Sequence, residues 1–135
     1  MVNETQLPPR HATLRLVPMP KDTNAAGDIF GGWIMSQVDI AGSIAAARRA
    51  QGRVTTVAVN AFHFVAPVFV NDLVSFYAEV TKIGTTSLTV NVEVYAERGL
   101  RTPQPGEVVK VTEAVLTYVA VDEQRRKRPV PREGA

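Results

Sequence analysis

Residues 31–50, GGWIMSQVDIAGSIAAARRA, restrict the fold more than any other stretch of this chain. Ile34, Val38, Ala41 and Ala45 recur at spacings of three and four, the period of a helix. Met35, Ile40, Ile44 and Ala47 carry the apolar surface well beyond one stripe. A helix that is apolar on most sides must be covered on most sides. Arg48, Arg49, Gln51 and Gly52 supply its exposed end, with cations in the last turn and a glycine just past it.

What surrounds the helix reads almost entirely as strand. Residues 11–17 alternate weakly through Ala12, Leu14 and Leu16 and predict a first strand, ended by Pro18 and Pro20. Longer strands are predicted over 54–65, 73–83, 87–98 and 107–121. The third of these alternates most clearly, with Leu88, Val90, Val92, Val94 and Ala96 on one side. Gly84-Thr85-Thr86 is short enough to join two of the strands as a hairpin, whereas 99–106, with Pro103 and Pro105, is a longer surface loop. One buried helix with a mainly antiparallel sheet places the chain in the α+β class. A single sheet covers one side of the helix only, so the sheet curls around it, a second subunit covers the rest, or both.

At 135 residues the chain has room for one domain, expected over 11–122, between a lead-in at 1–10 and a basic tail at 123–135. There is no cysteine, which excludes disulfides, thiolate metal sites and a cysteine nucleophile. The net charge of +2 gives no argument for nucleic acid as a partner. No apolar run approaches the roughly 20 residues that span a bilayer, and the first residues lack a signal-peptide pattern. A cytoplasmic protein with no membrane partner is the expectation. Arg125, Arg126, Lys127, Arg128 and Arg132 concentrate positive charge at the C-terminal end, as a solvated tail or as a contact for a phosphate-bearing ligand.

Asp39 is the anomaly of the helix, set among Ile34, Met35, Val38, Ile40 and Ala41. A buried carboxylate without a partner is costly, so such a group is hydrogen-bonded, neutralised or kept for function. The alternative is a carboxylate on one wet edge, paired with an arginine. Gly31-Gly32 opens the helix, where backbone N–H groups have no intrahelical partner and can polarise a carbonyl oxygen. Tight packing at a turn is the better explanation of a Gly-Gly taken in isolation. Asn24 is able to orient water, or simply to form a turn. Trp33 reads as packing, and His63, between Phe62 and Phe64, as a strand residue with a satisfied ring. His11 and His63 are too few for a metal cluster. The chain has neither a G-x-S-x-G elbow nor a phosphate loop.

The stretch MPKDTNAAGDIFGGWIMSQVDIAG, residues 19–42, resembles the hotdog-fold acyl-CoA thioesterases, most closely their bacterial YciA-type group. The likeness continues through GRVTTVAV at 52–59, FHFVAPVFVNDLV at 62–74, KIGTTSLTVNVEV at 82–94, VTEAVLTYVAVD at 111–122 and RPVPRE at 128–133. It implies a hotdog fold, one long central helix wrapped by a curved antiparallel sheet. It also implies a homo-oligomer, a dimer at minimum and a trimer of dimers in many relatives, with active sites at the dimer interface. Acyl-CoA would be hydrolysed to a free acid and coenzyme A, with no cofactor and no metal. By position, Asp39 resembles the family's general base or nucleophile, Asn24 the residue that holds water or the thioester, and Gly32 the backbone N–H that receives the carbonyl. Arg53, Thr85, Thr86 and Ser87 fall in stretches that line the coenzyme A groove, and Arg126, Arg128 and Arg132 are within reach of it. His63 departs from the family pattern and is expected to alter the acyl pocket rather than to act in catalysis.

Two other functions are compatible with the same fold. A non-catalytic acyl-CoA sensor of this kind usually carries a DNA-binding segment, which residues 1–10 cannot supply. An enoyl-CoA hydratase or dehydratase commonly needs a histidine with a carboxylate, and no matching motif surrounds His63.

Overall fold

In a computed structural model, which describes residues 5–100, 103 and 106–132, the helix α1 runs over Gly31–Ala50. Five strands accompany it: β1 (Leu14–Leu16), β2 (Val54–Phe64), β3 (Leu73–Ile83), β4 (Ser87–Glu97) and β5 (Val108–Ala120). They form one sheet in the order β1-β3-β4-β5-β2, and every neighbouring pair is antiparallel. The helix lies across one face of this sheet and touches β2, β3, β4 and β5. Register shifts in β2, β3 and β5 mark bulges, which bend and twist a strand and let the sheet curve around the helix.

The alternation in β4 is what builds the core. Leu88, Val90, Val92, Val94 and Ala96 are all buried, and they meet Ile34, Val38, Ala41 and Ala46 of the helix, with Leu116, Tyr118 and Ala120 of β5 completing the cluster. Each fully buried Val or Leu in such a contact contributes about 1.5–3 kcal/mol relative to exposure. Trp33 packs against this cluster, its ring 6.4 Å from that of Phe76.

One face of α1 remains uncovered. Met35 and Ile40 are exposed, and so are Val57, Val59, Phe64 and Val65 on and just beyond β2. Strand β2 stands at one end of the strand order and presents a long open edge, whereas the other end closes with the three-residue β1. A long apolar edge is a template for pairing with another chain. The requirement that the sheet cover the helix from one side only is thus met within the chain, and the rest of the helix faces outward.

One expectation is corrected and two gain detail. The first strand is Leu14–Leu16 rather than 11–17, because only three residues find pairing partners on β3. The helix stops on Gln51, which adopts the left-handed conformation (φ 56°) expected of a glycine, while Gly52 follows with its N–H bonded to Ala47 O. Of the expected tail, residues 123–132 are folded back against the domain: Val130 is buried, and Arg128 N–H bonds to Ala120 O.

Candidate active site

Asp39 sits midway along α1, half-buried, and its partners are hydroxyls rather than an arginine. Thr56 Oγ1 donates to Asp39 Oδ1 at 2.7 Å, and Tyr118 Oη lies 3.0 Å from the same oxygen and 2.9 Å from the Asp39 carbonyl oxygen. Thr56 and Tyr118 are direct cross-strand partners on β2 and β5, so both side chains rise from one face of the sheet toward the helix. The β2 bulge falls just after Thr56, between Thr56 and Ala58. Burial and the adjacent Asp39 carboxylate push the Tyr118 phenol above the ordinary tyrosine value, so it remains a proton donor through the neutral range. Asp39 Oδ2 has no protein partner among the described residues.

Tyr118 and Thr56 were not among the residues picked out from sequence. A tyrosine in line with Ala114, Leu116 and Ala120 on the apolar face of β5 was the available signal for the first, since a buried phenol must place its hydroxyl somewhere. Thr56 carries no such signal; only the register reveals it.

The glycine pair divides into two different positions. A Cβ on Gly31 would stand 3.1 Å from the Phe64 ring, so Gly31 is small for packing within the chain. A Cβ on Gly32 would meet nothing within 4 Å. Trp33 and Ile34 N–H bond back to Phe30 O, while the N–H groups of Gly31 and Gly32 have no acceptor among the described residues. Beside this helix start opens a cleft of about 380 Å³, lined by Asn24, Asp28, Ile29, Gly31, Ile34 and Phe64, and closed by the 65–68 segment.

Asn24 shapes the approach to that cleft. Its Oδ1 accepts from Ala26 N–H at 2.9 Å and Asp28 N–H at 3.1 Å, and its own N–H bonds to Asp28 O at 2.7 Å. The amide oxygen is therefore committed to holding the 24–28 loop, and the Nδ2 donor has no partner among the described residues.

The basic and hydroxyl residues gather at the other end of α1. Thr85 lines a cleft of about 370 Å³ together with Arg49, Ile83, Pro129, Val130 and Arg132. Thr86 and Ser87 are half-buried beside it, their carbonyls accepting from Ala120 N–H and Gly84 N–H. Arg53 lines a separate cleft of about 240 Å³ with Arg125. Arg126 is exposed and pairs with Asp122 at 3.3 Å. Arg128 differs from the rest, because its guanidinium donates to Val121 O at 2.9 Å, Ala50 O at 2.9 Å and Arg53 O at 3.4 Å. That fork joins the helix end to the sheet, and it lies where a side chain on Gly52 would be. Three of its N–H groups are thus directed to backbone carbonyls of the same chain.

His63 is exposed and its side chain makes no hydrogen bond among the described residues, so its ring is not satisfied as expected. It lines a cavity of about 270 Å³ with Asn91, Glu93 and Glu113, on the sheet face opposite the helix. It lies next to Phe64 in the chain but does not line the cleft at Gly31. Among the described residues no three His, Asp or Glu side chains gather as a metal site, and no helix is long and apolar enough to cross a membrane.

A central helix wrapped by a curved antiparallel sheet defines a hotdog-fold protein. The model of the thioesterase superfamily matches residues 26–102, and the chain belongs to that family. It is 47% identical over 134 residues to the acyl-CoA thioester hydrolase YciA of Salmonella typhimurium, covering 99% of this chain and 100% of that one. Among solved structures it is similar to a mutant form of HI0827, a hexameric broad specificity acyl-coenzyme A thioesterase, with a TM-score of 0.86 and 47% identity over 92% of this chain and 88% of that one. It is also similar to Cj0915, a hexameric hotdog fold thioesterase of Campylobacter jejuni, with a TM-score of 0.84 and 43% identity over 89% and 90%.

Proposed function

We propose that the protein hydrolyses the thioester of acyl-CoA to a carboxylic acid and coenzyme A, as a homo-oligomer whose site is shared between two copies. The observation that carries this reading is the separation of its two chemical ends. Gly32 and Asp39 are seven residues apart on one helix, a rise of roughly 10 Å. They cannot both serve one carbonyl group. A second copy docked along the open edge of β2 and the exposed Met35–Ile40 face of α1 would bring the Gly32 of one chain near the Asp39 of the other. The hexameric state of the two solved relatives supports assembly of this kind, as a trimer of dimers.

In the proposed reaction Asp39 acts as general base. Oδ2 takes a proton from water as the water oxygen bonds to the thioester carbonyl carbon. The carbonyl π pair moves to its oxygen, and the Gly32 N–H holds the oxyanion that forms. When that pair returns, the carbon–sulfur bond breaks, and the thiolate takes the proton from Asp39. Asn24 Nδ2 has the reach of a donor at the mouth of the cleft, to water or to the thioester. Coenzyme A extends toward the far end of α1, where Arg53, Thr85, Thr86, Ser87, Arg126 and Arg132 are its contacts, with Arg49 added by the 370 Å³ cleft. Arg128 is the weakest of the expected contacts, since three of its N–H groups already donate to carbonyls.

The test is release of free thiol from a panel of acyl-CoA substrates of increasing chain length, with Asp39→Ala beside the wild type. Hydrolysis by the wild type and its loss in an Asp39→Ala protein of unchanged oligomeric state is the expected result. Binding of acyl-CoA without thiol release, or a wild-type rate in Asp39→Ala, overturns the reading.

A further inference from the structure

The two oxygens of the Asp39 carboxylate stand in different surroundings. Oδ1 lies 2.7 Å from Thr56 Oγ1 and 3.0 Å from Tyr118 Oη, whereas Oδ2 has no protein partner among the described residues. The two hydroxyls come from the sheet, on adjacent strands, and approach the helix from below. Tyr118 is fully buried, and its reach to Asp39 depends on Gly42, three residues further along α1 on the same side. A Cβ on Gly42 would stand 2.3 Å from Tyr118 Oη and 3.0 Å from its Cζ, so only glycine leaves room for the ring under the helix. The same hydroxyl also meets the Asp39 carbonyl oxygen at 2.9 Å, which ties the side chain to its own backbone through one donor. Among the described residues no Lys, Arg or His forms an ion pair with Asp39, and Tyr118 is the titratable group that faces it from the sheet.

We propose that Tyr118 and Thr56 are positioning residues that decide which carboxylate oxygen reacts, by holding Oδ1 from two strands and presenting Oδ2 to the substrate side. Their effect on rate rests on the hydrolysis proposed above; the fixing of the carboxylate does not. Without the two donors the carboxylate turns about its last bond, and each oxygen spends time in the wrong place. Positioning of this kind acts on the chemical step rather than on substrate binding.

The experiment compares Tyr118→Phe, Thr56→Val and Thr56→Ser by steady-state kinetics and by NMR of Asp labelled with ¹³C at Cγ. The Asp39 signal is identified as the one that disappears in Asp39→Asn. Loss of one hydrogen bond to a charged group is expected to lower kcat about ten- to a hundredfold with KM little changed. The Asp39 Cγ signal moves in Tyr118→Phe and Thr56→Val, and Thr56→Ser restores both signal and rate. Should Tyr118→Phe fail to fold, the Thr56 pair, at an exposed position, carries the test alone. The proposal is overturned if kcat and the Cγ signal stay at wild-type values in the variants, or if Thr56→Ser loses as much as Thr56→Val. A wild-type protein that releases no thiol would defeat the proposed reaction, while the Cγ signal would still decide whether the two hydroxyls hold the carboxylate.

Discussion

Tyr118 Oη touches Asp39 twice, at 3.0 Å from the carboxylate Oδ1 and at 2.9 Å from the backbone carbonyl, through a gap left open by Gly42. The contact joins β5 to the middle of α1 and makes packing and site geometry the same problem.

Gly42→Ala is therefore expected to destabilise the protein by about 1–3 kcal/mol through overpacking, although alanine is the better helix former. Tyr118→Phe in the same chain restores part of the loss, because it removes the oxygen that a Cβ would meet at 2.3 Å but keeps the ring carbon at 3.0 Å. Urea denaturation of the two single variants and the double variant measures the coupling.

The two glycines at the helix start are expected to respond differently. Gly31→Ala drives a methyl to within 3.1 Å of the Phe64 ring and lowers the melting temperature. Gly32→Ala keeps its N–H and meets nothing inside the chain, so its melting temperature holds within about two degrees, while the added methyl stands where the proposed thioester carbonyl approaches that N–H and lowers kcat/KM by at least tenfold. Differential scanning fluorimetry beside the thiol-release assay separates the two cases.

Arg128→Ala removes donors to three carbonyls, at Ala50, Val121 and Arg53, and should cost about 1–3 kcal/mol of stability. Arg128→Lys recovers little of it, since an ammonium cannot reproduce the planar fork. Urea midpoints give the answer. If coenzyme A affinity falls while stability does not, the inward placement of this guanidinium is not its role.

Tyrosine ionisation should limit stability in alkali. Burial is the main cause that pushes both Tyr118 and Tyr95 above the ordinary tyrosine value, with Asp39 beside the first and Glu93 hydrogen-bonded to the second. A folded-state value above the unfolded one means that the native protein holds these protons longer. The contribution is complete below the usual tyrosine value of about 10 and is lost as pH rises beyond it. Urea midpoints measured at pH 8 and pH 11 are expected to fall, and to fall less in Tyr118→Phe.

General-base attack by water also makes an isotopic prediction. Single turnover in ¹⁸O-water should place the label in the product acid and leave Asp39 unlabelled. Label in the Asp39 carboxylate would point instead to direct attack on the thioester by that oxygen.

Much of this molecule could be read from local pattern. The period of three and four over roughly 31–50 located α1, and the strict alternation at 88–96 predicted the row that meets it. Those features depend on neighbours close in sequence, and a 3.6-residue or two-residue repeat states them without knowledge of the rest of the chain. Asp39 stood out for the same reason, as one charge in an apolar repeat. Its partners did not. Thr56 lies 17 residues away and Tyr118 lies 79 away, and the β2–β5 register alone brings them together beneath the helix. Arg128 shows the converse: in sequence it is one of a row of cations, and only its fold-back onto Ala50, Val121 and Arg53 makes it an internal clasp. Sequence by itself thus determined which elements form and which residue is chemically out of place. Tertiary structure decided what that residue is tied to, because hydrogen bonds between distant strands depend on register and curvature, which no local repeat encodes.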